Sequence, residues 1–183
     1  GTNIFRTVFF MPNLIGGIIL GYIWQLLLNG ILLYFNRTLT YSSTYGFWGL
    51  IVLMCWQQIG YMMIIYIAGL QSISDDVLEA ASVDGASYWQ TLFRIRLPLL
   101  MPSITICLFL TLSNCFKIYD VNLALTGGGP ANATEMVSMN IFNEIFAKSN
   151  YGYGQAKAIV FFIIVGVITM FQVRLTSKRE VEV

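Results

Sequence analysis

Long apolar stretches without charged residues dominate the pattern of this 183-residue chain. A helix needs about 20 apolar residues to cross a hydrocarbon core of ~30 Å. Four charge-free windows lie between Arg6 and Arg37, Arg37 and Asp75, Arg96 and Lys117, and Lys157 and Arg174. The pattern therefore predicts four transmembrane helices, near residues 8–28, 47–70, 99–119 and 155–174. The expected fold class is all-α, a polytopic integral membrane helix bundle in one domain, 1–183.

Two details inside these windows bear on packing. Gly17 and Gly21 are four residues apart, a small-xxx-small spacing that allows another helix to approach closely. Lys157 lies at the start of the fourth window, where a long side chain can snorkel toward the membrane surface. We expect a helix-packing face at the glycines and an interfacial cation at the lysine.

Composition excludes most soluble classes and most catalytic chemistry. The chain is 57% hydrophobic and 10% charged, whereas soluble domains carry about 45–50% apolar and about 25% charged residues. It has no histidine, which removes Ser-His-Asp triads and histidine-based zinc sites. Cys55, Cys107 and Cys115 lie in apolar stretches and form no metal or disulfide pattern. The net charge of +1 gives no field for nucleic acid. We expect neither an enzyme nor a metal site.

The distribution of basic residues predicts the orientation. One set of loops and ends carries Arg6, Arg94, Arg96, Arg174, Lys178 and Arg179, and the opposite set carries Arg37, Lys148 and Lys157. Positive charge favours the cytoplasmic side, so both ends and the loop 71–98 are expected there. The chain starts at Gly1 without a signal-peptide pattern. We expect it to be the C-terminal part of a longer membrane protein.

The loop 71–98 carries helix signals of its own. Ser72 with Asp75 fits a capping box at a helix start, and small residues continue the helix. Gly85 then supplies a left-handed turn that ends it.

A second short helix is expected after this turn. Ser87 with Gln90 fits another capping box, and the helix should end near Pro98. The pattern therefore predicts a helix–turn–helix with a surface of small side chains. The residues alone leave open whether that surface docks a partner or packs within the loop.

The spacing of this loop resembles a known family. Glu79-Ala80-Ala81, then Gly85, then Ile95-Arg96-Leu97-Pro98 is similar to the EAA loop of ABC importer permease subunits. The runs Leu70-Gln71-Ser72-Ile73 and Leu125-Thr126-Gly127-Gly128-Gly129-Pro130 resemble the carbohydrate-uptake, maltose-type branch. Ser74 departs from that branch, which often has proline there. Family members usually have six or more spans, and four are predicted here.

The resemblance implies a division of labour between subunits. The loop would be a coupling helix seated in a dimer of separate ATP-binding subunits, beside a second permease subunit and an extracytoplasmic solute-binding protein. The implied coupling residues are Glu79, Ala80, Ala81, Asp84, Gly85, Leu97 and Pro98. ATP would be bound by the partner, and this sequence has no Gly-x-x-x-x-Gly-Lys-Ser/Thr phosphate loop.

Polar residues within the spans are candidates for a solute path. Gln57 and Gln58 lie in the second predicted helix, and the third holds Asn114 and Lys117, with Asp120 at its end. The same residues could instead form interhelical hydrogen bonds or mark the outer interface. In maltose-type permeases the solute site is lined by the spans before and after the EAA loop. That resemblance selects Gln57, Gly60, Asn114 and Lys117.

The expected function is the membrane-spanning permease of an ABC importer for a sugar or related solute, located in the bacterial cytoplasmic membrane. The alternative is a secondary transporter or channel driven by an ion gradient. It would use Lys117 and Asp120 as an intramembrane charge pair. The sequence does not identify the solute.

Overall fold

The computed structural model describes residues 2–178, with side chains from Ile4 onward. Every regular element in this range is helical, which confirms the all-α prediction. The helices are α1 (Thr2–Leu14), α2 (Gly17–Leu33), α3 (Ser43–Gln71), α4 (Asp75–Val83), α5 (Tyr88–Thr91), α6 (Leu97–Leu99), α7 (Met101–Phe116), α8 (Asp120–Leu125), α9 (Val137–Phe142) and α10 (Tyr151–Ser177). Five-residue π-helical turns, Leu92–Arg96 and Asn143–Ala147, join α5 to α6 and extend α9.

Two helices within residues 2–178, α3 and α10, are each long and apolar enough to cross a membrane. They contain the predicted second and fourth spans. Two further pairs of helices qualify if each bent pair counts as one span, which brings the number to four.

The first predicted span is not one helix. Instead of a continuous helix near 8–28, α1 and α2 meet at 102°. Gly16 between them is extended, with φ −58° and ψ 137°. Pro12 lies inside α1 and has no N–H to donate. The proline and the glycine together allow the chain to turn here.

The third predicted span also differs from its expected bounds. The helical segment Tyr88–Leu99 meets α7 at 63°, and the break falls at Leu100, between Pro98 and Pro102. At its other end α7 stops at Phe116, so Lys117 lies beyond the helix although the prediction extended to residue 119.

The chain groups into two compact units, Gly1–Tyr61 with Asn114–Val165, and Met62–Ser113 with Gly166–Val183. In the first unit, α8 packs on α2 at the two glycines expected to admit a helix. A Cβ at Gly21 would lie 2.6 Å from that of Ala124, and one at Gly17 would lie 2.9 Å from that of Asp120. Buried apolar side chains form the core beside this contact: Leu20, Leu39, Leu50, Leu53, Val121 and Leu125.

Asn122 joins α8 to the loop that follows it. Its side chain is fully buried and donates from Nδ2 to Oγ1 of Thr126 at 3.0 Å and to the carbonyl of Thr134 at 2.8 Å. Its Oδ1 accepts from the N–H of Met136 at 3.0 Å. Thr134 in turn donates to the carbonyl of Gly129 at 2.7 Å. One amide therefore fixes the conformation of the glycine-rich turn.

In the second unit, the end of α3 packs closely on the start of α7. A Cβ at Gly69 would collide with the side chain of Ser103, and Leu100 is buried beside it. Thr105 donates back to the carbonyl of Met101 at 3.0 Å, which satisfies its buried hydroxyl within α7.

Replacing the buried amide should loosen the glycine-rich turn. Asn122→Leu keeps the approximate volume but leaves the Met136 N–H and the Thr134 carbonyl unpaired, which should lower the free energy of unfolding by about 2 kcal/mol or more. Thermal unfolding in detergent and protease cleavage within residues 126–136 would measure this. The control is Gln155→Leu, an exposed amide on α10. Equal stability of the two variants would contradict the role given to Asn122.

Candidate functional site

Polar side chains from α3 and from the end of α7 converge on one open cavity of about 340 Å³. Its polar lining comprises Gln57, Gln58, Asn114, Lys117 and Asp120. Gly17, Met54 and Val121 form part of its wall. Three of the four residues selected from the sequence, Gln57, Asn114 and Lys117, thus lie together.

The cavity opens beside the middle of α3. Gln57 is fourteen residues from Ser43 and fourteen from Gln71, or about 21 Å from each helix end. Because α3 has the length and composition of a membrane span, this position corresponds to the interior of a bilayer. The end of α7 lies at the same level, since Asn114 lines the same cavity. The arrangement exposes amide groups where lipid would otherwise require apolar side chains.

Lys117 and Asp120 face this cavity without pairing to each other. Among residues 2–178 the ion pairs join Glu144 to Lys148 and to Lys157, and the Lys117–Asp120 pair on which the ion-gradient alternative depends is not formed. The N–H of Lys117 donates to the carbonyl of Asn114 at 3.0 Å, so a turn of the backbone continues for one residue past the end of α7. Asp120 then occupies the first turn of α8, where the helix dipole favours a carboxylate.

Gln58 is a lining residue that the sequence analysis did not select. Its Oε1 is buried and accepts no hydrogen bond within the described residues, so an acceptor is left unsatisfied at the cavity wall. Its position next to Gln57 was the available signal. Two adjacent residues of a helix point about 100° apart, so the sequence alone favours only one of them as cavity-facing.

Gly60 does not line the cavity. A Cβ at this position would collide with the backbone of Phe9 and Phe10. The glycine therefore allows α1 to cross α3 closely, and its role in the structure is in packing.

The helix–turn–helix expected in the loop is present, with a different start. Ser74, not Ser72, is the N-cap of α4, and its Oγ accepts from the N–H of Asp76 at 3.2 Å. The hydroxyl of Ser72 instead donates back to the carbonyl of Gly69 at 2.7 Å, within the end of α3. The capping box assigned to Ser72 and Asp75 is therefore wrong, and the N-cap lies two residues later. The reason is that α3 extends to Gln71 and the Ser72 hydroxyl bonds to the end of that helix.

The end of α4 confirms the predicted left-handed glycine. Gly85 has φ +72°. The N–H of Gly85 donates to the carbonyl of Ser82 at 3.1 Å, and the N–H of Ala86 donates to that of Ala81 at 3.0 Å. These two bonds are the Schellman pattern that closes a helix on glycine.

The residues of the EAA spacing differ in exposure. Glu79, Ala80, Asp84 and Gly85 are exposed and form one surface, called here the coupling surface. Ala81 is buried. A Cβ at Gly85 would meet nothing within 4 Å, so the space above this glycine is open in the chain.

The second helix of the loop begins as predicted. The hydroxyl of Ser87 accepts from the N–H of Gln90 at 3.4 Å, and the Gln90 side chain accepts from the N–H of Ser87 at 2.8 Å. This is a complete capping box. Leu97 and Pro98, the last of the implied coupling residues, lie ten and eleven residues after Ser87, in α6.

Lys157, the cation at the start of the fourth predicted span, is held by two hydrogen-bond partners. Its Nζ donates to Asn140 at 2.8 Å and lies 3.3 Å from a Glu144 carboxylate oxygen. It also lies 4.5 Å from the ring centre of Tyr153. Gly154 makes room for the approach, because a Cβ there would collide with Ile145. This network binds the segment after α9 to the first turns of α10.

Glu144 is the centre of the network. Its side chain is 9% exposed and accepts from Lys148 at 2.9 Å. That hydrogen bond is the largest cause that lowers the pKa of Glu144 from 4.5 to about 2, and bonds from Asn150 and Lys157 act in the same direction against the opposing effect of burial. The same pair raises the pKa of Lys148.

Comparisons with known proteins agree over nearly the whole chain. A family model described as "Binding-protein-dependent transport system inner membrane component" matches residues 1–181. "Probable starch degradation products transport system permease protein AmyD" of Thermoanaerobacterium thermosulfurigenes is 45% identical, over 98% of this chain and 64% of that protein. "Multiple sugar-binding transport system permease protein MsmF" of Streptococcus mutans is 32% identical, over 99% of this chain and 66% of that protein. The chain thus spans slightly less than two thirds of these relatives.

A solved structure shares the fold. A chain in the crystal structure of a bacterial ABC transporter involved in the import of the acidic polysaccharide alginate superimposes with a TM-score of 0.81. The two sequences are 22% identical, and the match covers 96% of this chain and 65% of that one.

The Glu144 network should make stability depend on acid pH. The folded pKa of about 2 lies below the ordinary value of 4.5. The stabilisation is therefore fully present above the unfolded pKa and is lost as the pH falls through this interval. In melting experiments, the difference between the wild type and Glu144→Gln should be constant between about pH 6 and pH 8 and shrink below about pH 4.5.

Lys148→Met is the matched variant, because it removes the largest cause of the lowered pKa while keeping the carboxylate. Its pH-dependent interval should be narrower than that of the wild type. A wild-type difference from Glu144→Gln that stays constant down to pH 3 would contradict this assignment.

Proposed function

Because the chain belongs to the family of binding-protein-dependent transport system inner membrane components, we propose that it is the membrane-spanning permease of an ABC importer. The solute is a sugar or a related polyhydroxylated compound, and ATP hydrolysis in a separate subunit drives its movement. The observation that carries the proposal is the polar cavity at mid-helix depth, lined from the two helices that flank the loop with the EAA spacing.

The chemistry of the cavity suits a neutral, hydroxyl-rich solute. Amide groups of Gln57, Gln58 and Asn114 both donate and accept hydrogen bonds, as sugar hydroxyls do. Lys117 and Asp120 bring one charge of each sign, so the cavity has no net charge to select an ion. The names of the relatives, which concern starch degradation products and multiple sugars, support the same solute class.

The coupling surface supports the drive mechanism. Glu79 and Asp84 offer carboxylates, and Ala80 and Gly85 leave room between them for a partner side chain. The capped ends of α4 make this surface rigid, so a force applied to it is transmitted to α3 and to the segment that leads into α7. A rigid connection of this kind is what converts closure of an ATPase dimer into movement of the spans.

The full assembly in this proposal has four kinds of component. This chain pairs with a second permease subunit, two ATP-binding subunits contact the coupling surfaces, and an extracytoplasmic binding protein delivers the solute. ATP is held by the partner and not by this chain. The coupling surface faces the cytoplasm, and both chain ends are on that side; the ends themselves, Gly1 and 179–183, lie outside the described residues.

The ion-gradient alternative loses its main support. It depended on Lys117 and Asp120 as an intramembrane ion pair, and the two side chains do not pair in the structure.

Changes on the coupling surface should stop transport without unfolding the chain. Glu79→Lys reverses the charge, and Gly85→Asp adds a charged side chain where the partner is proposed to pack. We expect uptake by the reconstituted transporter to be abolished while membrane insertion remains normal. Gly152→Asp is the control, since a Cβ there also meets nothing within 4 Å but lies on α10.

Gly85→Asn separates backbone strain from loss of docking, because asparagine tolerates the left-handed conformation. If docking is what matters, this variant also fails in uptake and in solute-stimulated ATP hydrolysis. Normal uptake by both Glu79→Lys and Gly85→Asp would rule out the coupling role.

Removing an amide from the cavity should weaken solute handling more than assembly. For Gln57→Leu and Asn114→Leu we expect about a tenfold loss of uptake efficiency each, which corresponds to about 1.4 kcal/mol. The measurement is uptake rate against solute concentration, with ATP hydrolysis in the absence of solute as the readout of assembly. Gln155→Leu, outside the cavity, should be unaffected. Equal effects at all three positions would contradict a specific path.

A further inference from the structure

An exposed apolar stripe runs along the second helix of the loop. Trp89, Phe93 and Leu97 recur every four residues and are 65%, 59% and 40% exposed. The rings of Trp89 and Phe93 are stacked, with centroids 5.9 Å apart and planes at 16°. We call these three residues the aromatic stripe. Unlike the exposed apolar side chains of α3 and α10, they lie on a segment that qualifies as part of a span only together with α7, across a bend of 63°.

The stripe is distinct from the coupling surface. The α4 helix faces the inner side of the second helix, where Leu78, Ser82, Thr91 and Leu92 line a small cavity between the two. Trp89 and Phe93 are absent from that lining and remain exposed. The loop therefore presents two separate surfaces, one formed by α4 and one by the segment that leads into α7.

The geometry places the stripe at the membrane surface. The segment Tyr88–Leu99 continues directly into α7, with a bend of 63°. Its twelve residues are about 18 Å long. If α7 lies near the membrane normal, a segment about 18 Å long that meets it at 63° extends only about 8 Å along the normal. This distance is close to the thickness of one headgroup layer, about 5–8 Å.

The side chains are those that favour this layer. Tryptophan and other amphipathic aromatic residues concentrate at membrane–water interfaces, and an apolar helical face beside basic residues is typical of interfacial helices. Arg94 is exposed next to the stripe. Its guanidinium suits the phosphates of anionic lipids, while the stripe suits the upper acyl chains.

We propose that the aromatic stripe lies in the headgroup–acyl boundary of the bilayer and, with Arg94 on anionic lipid, anchors this helix of the loop to the membrane surface. The partner is a lipid surface. The anchor holds the second helix at the membrane surface while the coupling surface on α4 is moved by its partner. The inference rests on the proposed function only in that α7 crosses the bilayer.

Depth-dependent quenching of Trp89 tests the anchor. The complete transporter is reconstituted in vesicles of phosphatidylcholine and phosphatidylglycerol, with bromine near the carbonyls or deep in the acyl chains. The emission of the wild type minus that of Trp89→Phe isolates Trp89 from the other three tryptophans. We expect the shallow bromine to quench this difference about twofold more than the deep bromine, as for an interfacial residue. Trp89→Tyr provides the same subtraction if the phenylalanine variant assembles poorly.

Trp56 supplies the matched control, because it lies next to Gln57 at the middle of α3. The difference signal from Trp56→Phe should respond more to the deep bromine. If Trp56 behaves this way but neither bromine quenches Trp89, the anchor is wrong while the membrane placement stands. If neither tryptophan responds to lipid, the membrane placement on which the proposed function depends has failed.

Removal of the ATP-binding subunits distinguishes a protein partner from lipid. The anchor predicts the same quenching of Trp89 with and without these subunits. Protection of Trp89 from a water-soluble quencher that disappears when the subunits are removed would show that they cover the stripe, and it would overturn the proposal.

Discussion

A polar group in hydrocarbon must meet another polar group or water, and this constraint organises the chain. Only 10% of the residues are charged, so the few polar side chains within the helices cannot be scattered. They are gathered at the cavity around Gln57 and Asn114, at the hub of Asn122, and at the network of Glu144 and Lys157. Each group satisfies hydrogen bonds or faces an open space, and lipid-facing surfaces are left apolar.

Close packing at glycines makes this gathering possible. Gly21 brings α8 onto α2, Gly60 brings α1 onto α3, and Gly154 admits Ile145 beside α10. Without a side chain at these positions, backbones approach closely and dispersion contacts replace the hydrophobic driving force that is missing between helices in lipid. The cavity is consequently lined both by the short, tightly packed α8 and by the long helix α3.

The sequence predicted what depends on local chemistry. The bounds of α3 and α10 follow from composition, the Gly85 turn from the conformational freedom of glycine, and the Ser87 capping box from neighbouring side chains. It failed where a choice depended on distant contacts. The break after Leu14 and the early end of α7 at Phe116 both fall inside charge-free windows, which hydropathy alone does not divide.

Of the candidate site, the sequence likewise predicted some residues and missed others. Gln57, Asn114 and Lys117 come together, because polar residues in facing spans have few other places to go. Gly60 was selected with them but lies outside the cavity, because a small residue near polar ones has the same sequence pattern whether it borders a cavity or a helix crossing. Glu144 was missed altogether. It lies thirteen residues from Lys157, and only the folded chain shows that the two meet.

The contact between Glu144 and Lys157 has an electrical consequence. Lys148 and Lys157 carry two positive charges, and Glu144 with the nearby Glu135 carries two negative ones. A transmembrane voltage of 100 mV acts on an unbalanced unit charge with about 2.3 kcal/mol. Since this cluster sums to zero, a displacement of the four side chains together moves no net charge through the field, and the membrane potential does little electrical work on it.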